Sequence, residues 1–262
     1  MKNLLIYISP THSFDNPRSD LADNDAGPLA KVQIDNSLSL GWQKEDILLV
    51  TNFEWEYNGV KAVVLPDVDF FERKPQVSKI NAILKLFEKG LIADDETYWF
   101  HDFDAFQLQP ILTEEIDLKS QQIALTDYGG GKHFGGEDRW STGVIYFKSG
   151  SFDLFKQIQA LCYQKRIDEE EALGLLVIGD PTIRQRVRKI DCSYNFIGYH
   201  LPEVYAKSIK PLKVVHFHPR VGKKRLGSGT ALEFFKGNNP LKISLVTNQL
   251  LRLLKYHRIG QK

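Results

Sequence analysis

The sequence has little cysteine, no long apolar run and almost no net charge, and each of these absences excludes a class of protein. Its two cysteines, Cys162 and Cys192, are too few for a disulfide framework or a cysteine-based zinc site, and they suit a reducing compartment. With 34 Lys and Arg against 33 Asp and Glu, the net charge of +1 gives no general reason to expect nucleic-acid binding. The apolar part of the opening KNLLIYISP is far shorter than a signal segment or a membrane-spanning helix. We therefore interpret it as a buried first strand and expect a cytoplasmic protein.

The chain also lacks internal repeats and low-complexity linkers, which favours a single domain over residues 1–262. Short apolar runs predict strands at residues 4–8, 47–50, 60–65, 97–100, 122–126, 142–147 and 212–218. Helical periodicity predicts helices at residues 28–40, 77–90, 151–164 and 170–178, and a final amphipathic helix at about 241–257. This alternation predicts an α/β fold, with a mixed, mostly parallel sheet flanked by helices and ligands bound at the carboxyl ends of strands.

Two aspartates follow the central apolar strand in the stretch ETYWFHDFDAF. Asp102 and Asp104 project to one side of the sheet if the strand continues that far, because side chains alternate along a strand. Such a carboxylate pair at a strand end is suited to a hard divalent cation. The alternative is a pair of solvated loop aspartates, or one aspartate that caps a following helix.

Two histidines lie on a late strand, KVVHFHPR, and share one face by the same alternation. Basic residues follow from Arg220, including Lys223, in a glycine-punctuated stretch that can close over an anion such as a diphosphate. A solvated basic loop is the alternative. Because imidazole suits transition metals, His216 or His218 beside the carboxylates would favour manganese over magnesium.

Four consecutive acids open the helix in RIDEEEALGLL. Asp168 as N-cap and Glu171 three residues later form a capping box, which explains two of the four without any chemistry. Glu169 and Glu170 remain to face a cleft.

In their order along the chain, these segments resemble the motifs of nucleotide-sugar-dependent glycosyltransferases of the GT-A fold, with a metal site like that of the glycogenin-like branch. The segments that carry the resemblance are FHDFDAF, WSTGVIYFKS, DEEEALGLL, KIDCSYNF and VVHFHP. The resemblance covers nearly the whole chain, and it implies transfer of a hexosyl or related sugar from a nucleoside-diphosphate sugar, with a UDP-sugar expected, to an acceptor hydroxyl. The implied acceptor is a glycan, a lipid-linked molecule or a protein.

The resemblance also implies a metal centre. Asp104 would bind Mn²⁺ (or Mg²⁺) directly, Asp102 would contact the ribose and the metal shell, and His216 would be the third protein ligand. His218 remains an alternative to His216, because the match of the late strand is loose.

For the donor, the resemblance implies that Ser9, Pro10 and Thr11, at the end of the first strand, hold the nucleoside. Lys79, on the helix before the central strand, would reach the donor, although a surface lysine is the simpler interpretation. Lys223, in the basic loop, would contact the diphosphate.

Glu170 or Glu171 would face the acceptor hydroxyl. The choice stays open because the acidic segment lacks the family's glutamine and aligns in two ways. An inverting enzyme needs a carboxylate base such as Glu170, whereas the histidine strand favours retention. Ser141 replaces the family's usual asparagine, which puts one sugar or acceptor contact in doubt.

Two other functions compete with the transferase. A nucleotide-sugar or carbohydrate-binding protein of the same fold would keep the metal ligands without turnover. A sugar nucleotidyltransferase shares the sheet architecture, but its glycine-rich opening is missing from YISPTHSFDNP. For the final helix, with Lys255, Arg258 and Lys262, peripheral docking on the inner membrane face is an alternative to packing on the domain, which we favour.

Overall fold

The computed structural model describes residues 1–9, 26–127, 140–197, 206–216 and 248–257. Several predicted features therefore lie outside the described residues. These are Pro10, Thr11, the glycine-rich loop at 129–136, the first part of the final helix, and the late-strand and basic-loop residues His218, Arg220 and Lys223.

A seven-stranded sheet forms the centre of the protein, with strand order β10-β8-β9-β6-β1-β2-β5. Its strands are β1 (Lys2–Tyr7), β2 (Ile47–Thr51), β5 (Val63–Val64), β6 (Tyr98–His101), β8 (Ile123–Asp127), β9 (Trp140–Phe147) and β10 (Val187–Lys189). All neighbouring pairs in this sheet are parallel except those that β9 makes with β6 and β8. The predicted mixed, mostly parallel sheet is confirmed.

Most helices of the described part lie against this sheet and help to bury its apolar strands. They are α1 (Gly27–Ser39), α2 (Ser78–Glu88), α3 (Phe152–Lys165), α4 (Glu169–Gly179), α5 (Pro181–Arg186) and α6 (Asn248–Tyr256). The sequence predicts one apolar stripe on α2, formed by Ile80, Ile83, Leu84 and Phe87. The first three are buried in the main core, and Phe87 is half-buried against it. The helix stops before Gly90, whose φ of +67° is the left-handed conformation that a glycine adopts without steric cost.

A second, three-stranded sheet has the order β11-β12-β7. It is built from β7 (Ala105–Gln107), β11 (Phe196–Ile197) and β12 (Val214–His216). The strands β7 and β12 are antiparallel, and their register sets Ala105 opposite His216. The central strand β6 and the short strand β7 are separated by three residues, so this point of the chain joins the two sheets.

The predicted strand at residues 60–65 is wrong as a single element. Val60 and Lys61 form β4, which pairs with β3 (Glu56–Tyr57) in a two-stranded hairpin, whereas Val63 and Val64 form β5 at the edge of the large sheet. Between them, Ala62 donates its N–H to Trp55 O (3.0 Å). The apolar run is continuous, but its hydrogen bonds go to two different partners.

The final helix, α6, packs on the domain, as expected. Leu250 and Leu254 are fully buried and share a core cluster with Val32 of α1 and Phe106 of β7. Among the described residues, no helix combines the length and apolarity needed to cross a membrane.

Candidate metal and donor site

The paired aspartates lie in a tight turn between the two sheets. Strand β6 ends at His101, so the condition that the strand extends through both aspartates is not met. Asp102 N–H donates to Gly143 O on β9 (2.8 Å), and Ala105 N–H closes the turn on Asp102 O (2.9 Å). Ala105 then starts β7, whose pairing with β12 brings His216 to the turn.

The turn and the late strand together bring two carboxylates and one imidazole into a single cluster. Asp102, Asp104 and His216 each offer one ligand atom, and these atoms lie within 4.8 Å of one another. His216 Nε2 lies 3.1 Å from Asp104 Oδ1. Two atoms bound to one small divalent cation, each about 2.0–2.2 Å from it, are at most about 4.4 Å apart. The three ligand atoms are therefore near the spacing that one such ion requires.

Gly143 leaves the space that the imidazole occupies. A Cβ atom built on Gly143 would lie 2.2 Å from His216 Cε1, 2.7 Å from its Nδ1 and 3.2 Å from Asp102 Oδ2. A glycine inside a strand often marks such a close approach. The sequence motif WSTGV contains this signal, but sequence analysis assigned no role to the glycine.

The cluster is charged and partly withdrawn from water, and its pKa values reflect this. Burial raises the pKa of Asp102 to about 6, Lys79 opposes this rise, and the charge of Asp104 adds to it. Burial alone would lower the pKa of His216, but the adjacent Asp104 outweighs it and the pKa is raised. Two crowded carboxylates are a favourable environment for a cation.

Lys79 is buried, so the simpler interpretation of a surface lysine is wrong. Its Nζ lies 2.9 Å from Glu169 Oε1 and 3.4 Å from Asp102 Oδ1, and it donates to Thr142 O (3.1 Å). Burial would lower the pKa of Lys79, but the charges of Asp102 and Glu169 outweigh it and the pKa is raised. Lys79 therefore stays cationic beside the candidate cluster of Asp102, Asp104 and His216.

The acidic helix start points into the same site. Glu169 is buried and accepts a hydrogen bond from Thr142 Oγ1 (2.9 Å), and Glu170 Oε1 accepts one from Thr142 N–H (3.0 Å). The charge of Glu170 acts on both Lys79 and His216. Glu171 is exposed, and its N–H donates to Asp168 Oδ1 (2.9 Å), which confirms Asp168 as the cap.

A pocket of about 170 Å³ opens beside Asp102. Its lining mixes apolar and polar residues. The apolar ones include Ile6, Ile8, Phe70, Phe100 and Phe103, and the polar ones are Gln76, Ser78, Lys79, His101 and Asp102. Ser9 lies at the end of β1 next to this wall, and its backbone is fixed by Asn52, which accepts from Ser9 N–H (2.9 Å) and donates to Ser9 O (2.8 Å).

Two buried residues near the site were assigned no role from the sequence. His101 is fully buried under the turn, with Nδ1 3.1 Å from Ala105 O and Nε2 3.1 Å from Asn3 Oδ1, and burial lowers its pKa to about 4. Asn195 Nδ2 donates to Ser141 Oγ (2.9 Å), so Ser141, where the family has asparagine, is held by an amide from another segment.

Comparison with known proteins gives structural relatives but no sequence relatives. No family model matches the chain, and no curated protein matches it. The galactosyltransferase LgtC, solved with donor and acceptor sugar analogues, is similar over 98% of this chain and 96% of its own, with a TM-score of 0.59 and 12% identity.

Two further solved structures are similar. A glycosyltransferase involved in glycosylation of the major capsid of PBCV-1 aligns over 82% of this chain and 93% of its own, with a TM-score of 0.51 and 14% identity. The glycosyltransferase GlyE of Streptococcus pneumoniae TIGR4 aligns over 98% of this chain and 60% of its own, with a TM-score of 0.52 and 12% identity. The chain therefore has the GT-A fold that these glycosyltransferases share.

Proposed function

We propose that this protein is a metal-dependent glycosyltransferase that moves a sugar from a nucleoside-diphosphate sugar to an acceptor hydroxyl. The observation that carries the proposal is the convergence of Asp102, Asp104 and His216 at the junction of the two sheets. His216 lies more than 100 residues after the two aspartates along the chain, and structural relatives with this fold are glycosyltransferases. A glycan, a lipid-linked molecule or a protein is the acceptor we propose.

In this proposal Asp102, Asp104 and His216 hold Mn²⁺, with Mg²⁺ as the alternative. When bound, the ion neutralises negative charge that develops on the departing diphosphate. The mixed set of two carboxylates and one imidazole supports manganese, because imidazole favours transition metals.

We assign the pocket beside Asp102 to the nucleoside of a UDP-sugar. Its apolar walls suit a flat base, and Asp102 lies where a ribose hydroxyl can donate to its carboxylate. Ser9 supports the pocket through its fixed backbone, while Pro10, Thr11 and Lys223 remain predictions. Buried Lys79 supplies a second positive charge that is already positioned before the donor binds.

Glu170 is the acid that we place at the reacting centre, in preference to Glu171. Its carboxylate is oriented by Thr142 N–H and lies close enough to His216 and Lys79 to affect both pKa values, whereas Glu171 is exposed. We propose that the reaction retains the anomeric configuration and that Glu170 stabilises positive charge at the anomeric carbon. Inversion would instead make Glu170 the base that accepts the hydroxyl proton.

The test is a panel of nucleotide sugars with Mn²⁺, in which release of nucleoside diphosphate is measured with and without sugar acceptors. We expect one donor to be consumed by the wild-type chain and none by Asp104→Ala. Donor binding without release under any acceptor condition would support a binding protein instead. The anomeric proton signal of the product then separates retention from inversion.

A further inference from the structure

Helix α1 presents buried side-chain amides to the aspartate turn. Gln33 Nε2 donates to Phe103 O (2.8 Å) and to Ala105 O (3.1 Å). These carbonyls belong to the residues immediately before and after Asp104. One amide group therefore holds the Phe103–Asp104 peptide, which leads into the proposed metal ligand, and the Ala105–Phe106 peptide one residue further on.

Packing of helix α1 alone does not explain why a glutamine, rather than an apolar residue, is buried at position 33. Gln33 is fully buried, and its Oε1 has no hydrogen-bond partner within the described ranges. A buried acceptor without a partner is costly, and an apolar side chain of similar length would avoid that cost. The side chain is therefore better explained by its two donated hydrogen bonds than by packing.

We propose that Gln33 is a positioning residue that orients Asp104 for metal binding, an inference that rests on the proposed function above. Within the described ranges, Gln33 is the residue that donates a hydrogen bond to the Phe103 carbonyl, whose peptide plane sets the direction in which Asp104 leaves the backbone. A metal site needs its ligands within about 0.5 Å of the productive geometry. If the backbone at Asp104 can change its orientation, the site does not meet this requirement even when all three ligands are present.

Asn36 provides a matched control on the same helix. It is almost as buried as Gln33, and its Nδ2 donates to Gln107 O (2.9 Å), on the strand that follows the turn. Loss of either amide removes hydrogen bonds between α1 and this segment. Only the loss of Gln33 removes the hydrogen bond to Phe103 O, in the peptide that leads into a proposed ligand.

The experiment compares Gln33→Met and Asn36→Leu in the full chain, with Mn²⁺ alone as the probe. Free and bound Mn²⁺ are separated by electron paramagnetic resonance, and thermal unfolding is measured on the same samples. Loss of an outer-shell partner typically weakens metal binding by about 10–100-fold. We expect a loss of that size in Gln33→Met, a change of less than about twofold in Asn36→Leu, and a lowered unfolding temperature in both variants.

Equal Mn²⁺ affinity in Gln33→Met and the wild-type chain would overturn the inference, as would an equal loss in both variants. If Gln33→Met does not fold, Gln33→Asn keeps an amide that is one methylene shorter, and we expect the same selective loss of affinity. A wild-type chain that binds no Mn²⁺ would overturn the metal-dependent function as well. Binding by the wild-type chain together with unchanged Gln33 variants would overturn the positioning role alone.

Discussion

Replacement of Gly143 by alanine tests the site by adding a single methyl group. The new Cβ would lie 2.2 Å from His216 Cε1, whereas ordinary contacts begin at 3.4 Å, a difference of 1.2 Å. The ring cannot retreat freely, because His216 is buried and the same Cβ also lies 3.2 Å from Asp102 Oδ2. Either the imidazole or the strand β9 must move.

We expect this displacement to weaken Mn²⁺ binding by about 10–100-fold, the usual range for a disturbed outer shell. A hundredfold loss corresponds to about 2.7 kcal/mol of binding free energy. Overpacking should also lower the free energy of unfolding by about 1–3 kcal/mol. Mn²⁺ titration and urea unfolding measure the two quantities separately.

Gly174→Ala is the control, because a Cβ there meets no atom within 4 Å and the residue lies inside helix α4. It should leave Mn²⁺ affinity unchanged and raise stability by up to about 1 kcal/mol. In a His216→Ala background the clash is gone, so the stability cost of Gly143→Ala should largely disappear. Unchanged Mn²⁺ affinity in Gly143→Ala would refute the assignment of His216 as a ligand in this geometry.

Three further substitutions probe the ligands and the packing. Asp104→Ala should abolish Mn²⁺-dependent donor binding in calorimetry, because it removes a carboxylate from the cluster. Lys79→Met should lower the unfolding free energy in urea by about 3–5 kcal/mol, since it leaves the buried carboxylate of Glu169 without its cation. Leu254→Ala should cost about 2–5 kcal/mol in the same assay, because its side chain is fully buried against α1 and β7.

For each of these three substitutions, one outcome would contradict the expected result. Donor heats that still depend on Mn²⁺ in Asp104→Ala would remove this residue from the metal site. A second substitution, Glu169→Gln, should recover part of the loss in Lys79→Met, and strict additivity of the two would argue against a coupled pair. Arg252, exposed on the same helix as Leu254, is the matched control, and equal losses in Arg252→Ala and Leu254→Ala would mean that the helix does not pack as described.

The elements that sequence analysis located correctly are those with local patterns. The apolar run before Asp102 and the helical stripe of Ile80, Ile83 and Leu84 each depend on neighbouring residues alone. Strand β7 was not predicted. It has three residues, and its partner β12 lies more than 100 residues later, so no local pattern marks it.

The burial of Lys79 shows the same limit inside the site. On an amphipathic helix a lysine normally faces water, and the sequence offers no reason to place it elsewhere. Its acid partner, Glu169, is 90 positions away and comes close only because α4 and α2 lie beside the same end of the sheet. Likewise, the role of Gln33 depends on contact with a turn 70 residues further along.

Because β12 comes late in the sequence, it is synthesised after every strand of the large sheet. All seven strands of the large sheet precede residue 190. In the small sheet, β11 and β12 come after residue 195, and β12 pairs with β7 and carries His216. A nascent or proteolytically shortened chain that stops between these points would possess the complete large sheet and both aspartates. It would still lack the imidazole of His216. We expect such a fragment to bind Mn²⁺ weakly while retaining much of its secondary structure.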